Sequence, residues 1–370
     1  MTVLTAQAIV TPDGVLADGY VRIDGPGIAA VGTGPPGEAE RVDGAWIVPG
    51  FVDLHNHGGG GHTFTTGDAA QARAAAAFHL RHGTTTLLAS LVTAPYELML
   101  AATAAYGPLV AEGVLAGIHF EGPYLSKVRC GAQNPAYLRE PSTEELAGLI
   151  ALGGVRMVTI APELPGALDV ISFLAGQGIV VALGHTDATY EQTLAGVAAG
   201  ATVGTHVFNG MRPPHHREPG PVFALLGAAG VTCEFIADGI HLHDGALRFA
   251  ATVTGPARAA LITDAMAAAG MPDGEYELGG QVVTVAAGAA RLAAGGAIAG
   301  STLTMDAALR RAVSAGIPIA DAVRMASTTP AAAIGRSDLG ALEAGRRADL
   351  LVLDAELQVV RVMRGGVWVG

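Results

Sequence analysis

Two histidines spaced two residues apart end an apolar run near the start of the chain. In the stretch PGFVDLHNHG, which covers Pro49–Gly58, they are His55 and His57. Residues i and i+2 of a β-strand point to the same face, so both imidazoles could converge on one metal ion. A His-x-His pair alone is a weak signal, because two histidines placed there by chance would look the same. The pair predicts a metal site only if ligands follow other strands.

Further acidic and imidazole side chains stand at the ends of later apolar runs. These are one glutamate, three histidines and two aspartates: Glu121, His185, His206, Asp238, His241 and Asp264. Nitrogen and oxygen donors of this kind suit zinc, iron or cobalt. For any single histidine, a hydrogen bond that caps a strand is at least as good an interpretation as metal ligation. Because so many occur together at run ends, the pattern favours a metal centre.

The elements that would position these residues alternate along the middle of the chain. Eight apolar runs typical of strands begin near residues 45, 83, 113, 155, 178, 200, 231 and 258, and stretches of helical length such as 69–83 and 142–154 lie between them. This count predicts an α/β fold, a (β/α)8 TIM-like barrel whose strand ends meet at one rim. A doubly wound open sheet is the alternative, but no glycine-rich dinucleotide turn follows an early strand.

Both ends of the chain have the pattern of short strands and turns. The turn Pro12-Asp13-Gly14 breaks the first segment and the pair Gly365-Gly366 breaks the last. We therefore expect residues 1–46 and 338–370 to form one small β-sandwich domain, and residues 47–337 to form the metal-dependent barrel. A β-rich stretch over 273–297 is expected as a hairpin inserted after the eighth strand.

The composition argues against several classes of protein. The net charge of −12 argues against a binder of nucleic acid or of an anionic membrane surface. No apolar run reaches the roughly 18 residues of a membrane span, and the first residues lack the features of a secretory signal. Two cysteines, Cys130 and Cys233, are too few for a disulfide framework, which favours a cytoplasmic location.

The lysine content constrains the type of metal centre. Many binuclear barrel hydrolases bridge their ions with a carboxylated lysine at the end of strand four. The single lysine of this chain, Lys127, instead follows strand three. A lysine bridge is therefore excluded, and Glu121 is the best bridging candidate if two ions bind.

Nine motifs in order from about residue 47 to the C-terminus resemble the N-acetylglucosamine-6-phosphate deacetylase family of the amidohydrolase superfamily. They are PGFVDLHNHG, HFEGPYLS, GHTDATYEQ, GTHVFNGM, HHREPG, IADGIHLH, LITDAM, AGSTLTM and GRRADLLVLD. The first and last are shared across the superfamily, whereas HFEGPYLS, GTHVFNGM and REPG are far more specific. The resemblance implies a barrel with a small β-domain and a homodimer.

The resemblance also implies roles for the candidate ligands. Glu121, His185 and His206 match the principal metal ligands, and His55 and His57 match a second-metal pair that some members lack. One or two divalent ions are thus expected, zinc first, with iron, cobalt or manganese as alternatives. Asp264 matches the carboxylate that takes a proton from the attacking water and delivers it to the leaving nitrogen. Acetate and glucosamine 6-phosphate would be the products.

The implied substrate is a phosphorylated amino sugar. Arg217 and His241 match its phosphate ligands, which suits the charge-assisted hydrogen bonds of a guanidinium and an imidazolium. A solvated loop cation is the alternative interpretation of Arg217, and whether it acts in its own or a neighbouring subunit stays open. The other matching contacts are Ala132, Gln133, Asn209, Gly210, Ile298, Ala299 and Gly300.

One position departs from the family pattern. Where the motif GAQNP has Gln133, the family commonly has a histidine that is thought to polarise the acetyl carbonyl. Glutamine can donate an amide N–H but cannot carry charge. We therefore expect activity to survive with a different rate or substrate preference.

Alternative functions are compatible with parts of this pattern. The missing lysine disfavours a cyclic-amide hydrolase, and the REPG and DGIH motifs suit phosphate better than the bare amino acid of an N-acyl amino-acid deacylase. N-acetylgalactosamine 6-phosphate stays open as a substrate, because one epimeric hydroxyl leaves little trace in a sequence. A non-catalytic sugar-phosphate-binding barrel should have lost Asp264 or a ligand, and none is lost.

Overall fold

The N-terminal residues form the strands that the turn pattern predicts. The computed structural model describes residues 1–35, 37–42 and 44–369. Its first strands are β1 (Thr2–Thr11), β2 (Gly14–Asp24), β3 (Gly27–Thr33), β4 (Glu40–Arg41) and β5 (Trp46–Pro49). Strand β1 pairs antiparallel with β2 across the predicted turn, where Gly14 has a φ of 125° that other residues rarely adopt.

The middle of the chain forms the predicted barrel. The next strands, of which β7 and β8 form only a short ribbon, are β6 (Phe51–Asp53), β7 (Gly58–Gly59), β8 (His62–Thr63), β9 (Thr84–Leu91), β10 (Gly117–Glu121), β11 (Val155–Ile160), β12 (Val180–Leu183), β13 (Val203–Gly204), β14 (Thr232–Ile236) and β15 (Ala259–Ile262). The other eight are all parallel, in the order β15-β14-β13-β12-β11-β10-β9-β6. Every residue of β9 and β10 is buried, as strands covered on both faces should be.

Each barrel strand is followed by a helix, so the eightfold repeat is complete. The helices are α1 (Ala69–Arg81), α2 (Tyr96–Ala111), α3 (Thr143–Ala151), α4 (Ala167–Gly176), α5 (Tyr190–Ala198), α6 (Gly220–Gly227), α7 (Asp244–Thr254), α8 (Met305–Ser314), α9 (Ile319–Ala326) and α10 (Thr328–Ala333). Local signals fix where several begin, because Asp68 caps α1 and Ser142 caps α3 through side-chain oxygens. Both predicted helices therefore form.

An inserted sheet and the C-terminal strands complete the fold. The insertion has three antiparallel strands rather than a simple hairpin, β16 (Gly274–Leu278), β17 (Gln281–Ala286) and β18 (Ala289–Leu292). The last strands are β19 (Leu350–Leu353), β20 (Val359–Arg364) and β21 (Val367–Trp368), and they join the N-terminal ones in the order β21-β20-β19-β5-β1-β2-β3, with β4 beside β1. Strands from both chain ends thus form one sheet, and apolar side chains from both ends pack together as a separate core.

The apolar run at 45–57, which we predicted as the first barrel strand, is two strands in different sheets. Its first half, β5, pairs with β1 and β19 of the small sheet, whereas β6 pairs with β9 of the barrel. Gly50 separates them, and a Cβ at this position would lie 2.3 Å from Thr85 Oγ1. The predicted boundary after residue 46 was therefore too early, because residues 47–49 belong to the small sheet.

Candidate metal centre and active site

All six predicted ligand and catalytic residues meet at one rim of the barrel, which we call the metal rim. Each follows or ends a barrel strand: His55 and His57 after β6, Glu121 at the end of β10, His185 after β12, His206 after β13 and Asp264 after β15. The barrel closes at the same level, where Asp264 N–H donates to His55 O over 2.8 Å and His57 N–H donates to Ala265 O over 2.7 Å. Barrel closure thus sets the spacing of the rim.

Glu121 lies at the centre of one half of the rim. Its Oε1 is 2.9 Å from His185 Nε2 and 3.0 Å from His206 Nε2, while its Oε2 is 3.3 Å from His57 Nε2. The two oxygens of one carboxylate therefore face histidines from both sides. This is the arrangement that the bridging role predicted for Glu121 requires.

The other half of the rim is formed by the first histidine pair and Asp264. Asp264 Oδ1 is 3.1 Å from His57 Nε2 and 3.5 Å from His55 Nε2. Among the residues that the structure describes, potential ligand atoms converge in two sets, His55 with Glu121 and His206, and His55 with His57 and Asp264. His55 belongs to both sets, so it is more central than a ligand of the second ion alone.

The donor set fits a divalent ion. The separations of 3.1–3.5 Å among His55, His57, Glu121 and Asp264 are close to those that metal bonds of about 2.0–2.2 Å span across tetrahedral angles. The rim holds nitrogen and oxygen donors and no lysine or arginine, which also suits such an ion.

The charges of the rim reinforce one another. Burial favours neutral Asp264, but the nearby imidazoles of His55 and His57 outweigh it and lower the pKa of Asp264 to about 2. Burial likewise disfavours a charged imidazole, yet Asp264 and Glu121 raise the pKa of His57 to about 9. Asp264 is therefore an ionised carboxylate, able to accept a proton at neutral pH.

Three rim residues have a backbone conformation that costs free energy. His185, His206 and Asp264 have φ values of 47°, 25° and 50°, in the left-handed region that L-residues rarely adopt. Nearby Gly210 has a φ of 61°, and a Cβ on it would lie 2.7 Å from His185 Nδ1. Such conformations persist where surrounding contacts over-determine them, as happens at functional sites.

Neighbouring groups hold the rings of three rim histidines in orientation. The Nδ1 atom of His57 lies 3.0 Å from Ser90 O, and that of His185 lies 2.8 Å from Arg129 O. The Nδ1 atom of His55 instead lies 3.3 Å from the carboxylate of Glu234. We did not predict Glu234 from the sequence, although an acid in the middle of the mostly apolar run VTCEFIA was a possible signal.

A cavity of about 250 Å³ opens above the metal rim. Five of the six rim residues line it, and His55 lies beneath them. Most of the predicted substrate contacts line it as well: Ala132, Gln133, Asn209, Gly210, His241, Ile298 and Gly300. Ala299 is fully buried behind this wall. The inserted sheet supplies Leu278, and it is tied to the opposite loop because Gln281 Nε2 donates to Ala132 O over 2.5 Å.

The structure does not bring Arg217 to the cavity. Its side chain is exposed, and Nη1 lies 2.8 Å from the ring Nε2 of the adjacent His216. It lines a separate hollow on the surface with Arg212 and Glu218. The chain therefore presents one predicted phosphate ligand outside its own site.

The other predicted phosphate ligand, His241, is held inside the cavity. Its Nδ1 lies 2.6 Å from Asp238 Oδ2, and its backbone N–H donates to Asp238 Oδ1 over 2.8 Å. Burial alone would lower the pKa of His241, but the hydrogen bond and charge of Asp238 outweigh burial and raise it. His241 is therefore prepared to present an imidazolium to an anion.

Gln133 is fixed by two hydrogen bonds. Its Oε1 accepts the Thr93 N–H over 2.7 Å, and its Nε2 donates to Glu121 Oε2 over 2.5 Å. The amide therefore contacts the central carboxylate of the rim. One further amide hydrogen is left to donate into the cavity.

Among the residues that the structure describes, no helix combines the length and the apolar character that crossing a membrane requires.

Known proteins resemble this chain along nearly its whole length. The model of the amidohydrolase family matches residues 46–369. An N-acetylgalactosamine-6-phosphate deacetylase of Escherichia coli O157:H7 is 40% identical over 369 residues, covering 97% of both chains. An N-acetylglucosamine-6-phosphate deacetylase of Lysinibacillus sphaericus is 37% identical over 333 residues, covering 87% of this chain and 85% of the relative.

Solved structures agree with this likeness. A variant of the N-acetyl-D-glucosamine-6-phosphate deacetylase of Mycobacterium smegmatis, in complex with N-acetyl-D-glucosamine-6-phosphate, superposes with a TM-score of 0.97 at 48% identity, covering 99% of this chain and 98% of that one. The corresponding deacetylase of Thermotoga maritima gives a TM-score of 0.91 at 32% identity and covers 99% of each chain. The chain belongs to the amidohydrolase family.

Proposed function

We propose that the chain removes the N-acetyl group of N-acetylglucosamine 6-phosphate by hydrolysis, giving glucosamine 6-phosphate and acetate. The observation that carries this proposal is one cavity with a metal-type donor set and an ionised Asp264 at its base, and with His241 in its wall. The donor set with Asp264 suits amide hydrolysis, and His241 suits the binding of a phosphate. The names of the deacetylases that resemble the chain support the same substrate class.

The metal rim would perform the reaction at its centre. A divalent ion held by Glu121, His185 and His206, with the first histidine pair alongside, would supply a Lewis acid that activates water and polarises the acetyl carbonyl. Asp264 would accept the proton of the attacking water, because its carboxylate lies beside the proposed ligands, with Oδ1 3.1 Å from His57 Nε2. It then delivers that proton to the amide nitrogen as the C–N bond breaks, which makes the amine a better leaving group.

His241 and the main chain at Asn209–Gly210 would hold the phosphate away from the reacting carbonyl. The imidazolium of His241 donates a charge-assisted hydrogen bond, and a backbone N–H adds a neutral one. We further propose a homodimer in which Arg217 reaches the cavity of the partner subunit. The exposed position of Arg217, outside its own cavity, supports this arrangement.

The galactosamine epimer is a second candidate substrate. The Escherichia coli relative named for N-acetylgalactosamine 6-phosphate is 40% identical over 97% of this chain, which is more than several glucosamine-named relatives. Both epimers carry the same acetamide and phosphate groups, so the rim would treat them alike. Discrimination would fall to the sugar-facing wall around Ile298 and Gly300.

We also propose zinc as the ion and the cytoplasm as the location. Zinc accepts the imidazole and carboxylate donors of the rim in a four-coordinate arrangement, whereas iron, cobalt and manganese remain alternatives. Both cysteines, Cys130 and Cys233, are free thiols, which supports a reducing compartment.

Acetate release from the two epimeric sugar phosphates tests this function. We expect turnover of at least one of them, removed by chelation of the metal and restored by zinc. Asp264→Asn should lower kcat by about 10²–10⁴-fold, the usual contribution of a general acid–base group. An enzyme that hydrolyses N-acetyl amino acids but neither sugar phosphate would contradict the proposal.

A further inference from the structure

Glu234 is a fully buried acid next to the metal rim, and no step of the proposed reaction uses it. It lies in β14, within an otherwise apolar run, and its exposure is 0%. Its Oε2 lies 3.3 Å from His55 Nδ1 and accepts the backbone N–H of His206 over 3.2 Å. None of the described residues offers a hydrogen bond to its other oxygen, Oε1, which is also buried. A half-satisfied buried acid is costly and calls for a reason.

The contact with His55 differs from those of the neighbouring rings. His57 and His185 direct their Nδ1 atoms to neutral main-chain carbonyls, whereas His55 directs its own to a carboxylate. A carboxylate behind a histidine fixes the ring and its tautomer, and it strengthens the imidazole as a metal ligand. Only the Nε2 atom of His55 is then left to face the cavity side.

The same side chain also restrains His206. Glu234 Oε2 accepts the His206 N–H, and the main-chain carbonyl of Glu234 accepts the N–H of Val207 over 2.9 Å. These bonds flank a residue whose φ of 25° is unfavourable. One residue of β14 thus holds a ligand from β6 and a ligand that follows β13.

We propose that Glu234 is a positioning residue that sets the metal affinity of the rim through His55 and His206. The inference rests on the proposed function only in taking these histidines as metal ligands. Because His55 belongs to both sets of converging donors, loss of Glu234 lowers the affinity of the rim for every ion that it binds. Glu234 touches no substrate and donates no proton.

Two variants of different severity test this proposal in the zinc-loaded enzyme. Glu234→Gln keeps an oxygen that can accept both hydrogen bonds but removes the charge, whereas Glu234→Leu removes both bonds. Zinc dissociation constants, measured by competition with a chromophoric chelator, should rise by about 10- to 100-fold in Glu234→Leu. Glu234→Gln should fall between it and the parent, as a partial rescue.

Two further measurements separate positioning from mere stability. The melting temperature of the metal-free protein should fall only slightly in Glu234→Leu, because the His206 N–H loses its acceptor while a buried carboxylate is also removed, and the increase in melting temperature caused by zinc should shrink. The visible spectrum of the cobalt-substituted enzyme should change, because it reports the geometry of the ligands. As a matched control, Glu145→Gln removes a carboxylate that pairs with Arg139 and Tyr124 and should leave zinc affinity at the parent value.

The possible outcomes distinguish the role of Glu234 from the proposed function of the enzyme. Parental zinc affinity and an unchanged cobalt spectrum in Glu234→Leu would overturn the role of Glu234, whatever the enzyme hydrolyses. A drop in metal-free stability that accounts for the whole loss of zinc affinity would also overturn it. Weakened zinc binding together with no activity on any sugar phosphate would support the role of Glu234 and reject the proposed substrate.

Discussion

The metal rim and the outer loops of the same cavity are built in different ways. Every rim side chain belongs to a residue at most 7% exposed, follows or ends a barrel strand and contacts at least one other rim residue. The outer residues lie on loops, and Arg217 among them is exposed, with its guanidinium 2.8 Å from the ring of the adjacent His216. One chain therefore completes the reacting end of the site, whereas the proposed phosphate-binding end depends on loops and, if Arg217 takes part as proposed, on a residue outside the cavity.

The difference teaches where rigidity is needed. Proton transfer and metal binding tolerate little displacement, so the rim is fixed by barrel closure and by strained backbone at three of its residues. Phosphate binding at the outer loops relies on charge, which acts over longer distances and tolerates mobility. Rim substitutions should therefore lower kcat and metal content, and substitutions in the outer loops should raise KM.

The largest effect is expected at the centre of the rim. Glu121→Gln replaces one of the two carboxylate oxygens that face His185, His206 and His57 with an NH2 group. An amide NH2 does not ligate a metal ion as a carboxylate oxygen does. We expect loss of bound metal and a fall in kcat of at least about 10²–10³-fold, as for loss of an electrostatic stabiliser in other hydrolases.

Metal analysis by mass spectrometry and acetate release measure these two effects on one preparation of Glu121→Gln. Glu145→Gln is the control, because it makes the same chemical change at a carboxylate that pairs with Arg139 and Tyr124 rather than with a rim residue. A Glu121→Gln enzyme with the parent's metal content would break the assignment of Glu121 as a ligand.

The next largest effect is expected at Arg217. Loss of a hydrogen bond from a charged group costs about 1.5–3 kcal/mol, so Arg217→Ala should raise KM by about 10- to 100-fold and leave kcat within about twofold. His216→Ala, at the adjacent exposed residue, is the control and should leave KM unchanged. A large fall in kcat with constant KM in Arg217→Ala would contradict the expectation that the rim governs kcat and the outer loops govern KM.

Mixed dimers test which subunit of the proposed homodimer Arg217 serves. A dimer of one Arg217→Ala subunit and one Asp264→Asn subunit has one intact site if Arg217 acts across the interface, and none if it acts within its own chain. We expect about half of the parent's activity, with the parent's KM. About half of the parent's kcat with the raised KM of Arg217→Ala would instead assign Arg217 to its own subunit.

Much of the rim could be predicted because its residues follow a repeating pattern. Apolar strands end in His55, Glu121, His185 and Asp264, and barrel geometry requires such ends to meet. The strand split at Gly50 could not be predicted, because the run is apolar on both sides and the partners of β5 lie at the far end of the chain. Periodicity does not say which sheet a strand joins.

The residues that orient the ligands could not be predicted either. Ser90 acts through its carbonyl, which every residue has, and Glu234 became recognisable only when folding placed it behind His55. The position of Arg217 outside its own cavity has the same origin. Its loop carries no periodic pattern, so its direction depends on tertiary contacts.

A smaller effect, dependent on pH, is expected at the Asp238–His241 pair. The raised pKa of His241 means that its positive charge persists to a higher pH than that of an ordinary histidine and is lost as the pH rises through the raised pKa. The stabilisation from this pair is likewise complete below the pKa of unfolded histidine and disappears at higher pH. In Asp238→Asn the carboxylate that raises the pKa of His241 is gone, so burial lowers this pKa. His241 then loses its charge at a lower pH than in the parent.

The profile of KM between pH 6 and 9 measures this change. KM should begin to rise at a lower pH in Asp238→Asn than in the parent, with a several-fold difference near neutrality and little change in the profile of kcat. His241→Gln, which cannot titrate, should flatten the profile of KM. Parallel profiles for all three enzymes would exclude His241 as a phosphate ligand.

The smallest effect is expected on replacing Gln133, which lies between the two regions, by histidine. Its amide donates to Glu121 and accepts from Thr93, so it supports the rim while facing the cavity. Gln133→Ala leaves both partners unpaired and should lower kcat by about tenfold, the equivalent of one hydrogen bond to a charged group. Gln133→His returns a donor that can also carry charge, so kcat/KM should differ from the parent's by about two- to fivefold. The same kcat/KM for Gln133→His and the parent on both epimers would mean that Gln133 sets neither rate nor preference, and acts only as a support of Glu121.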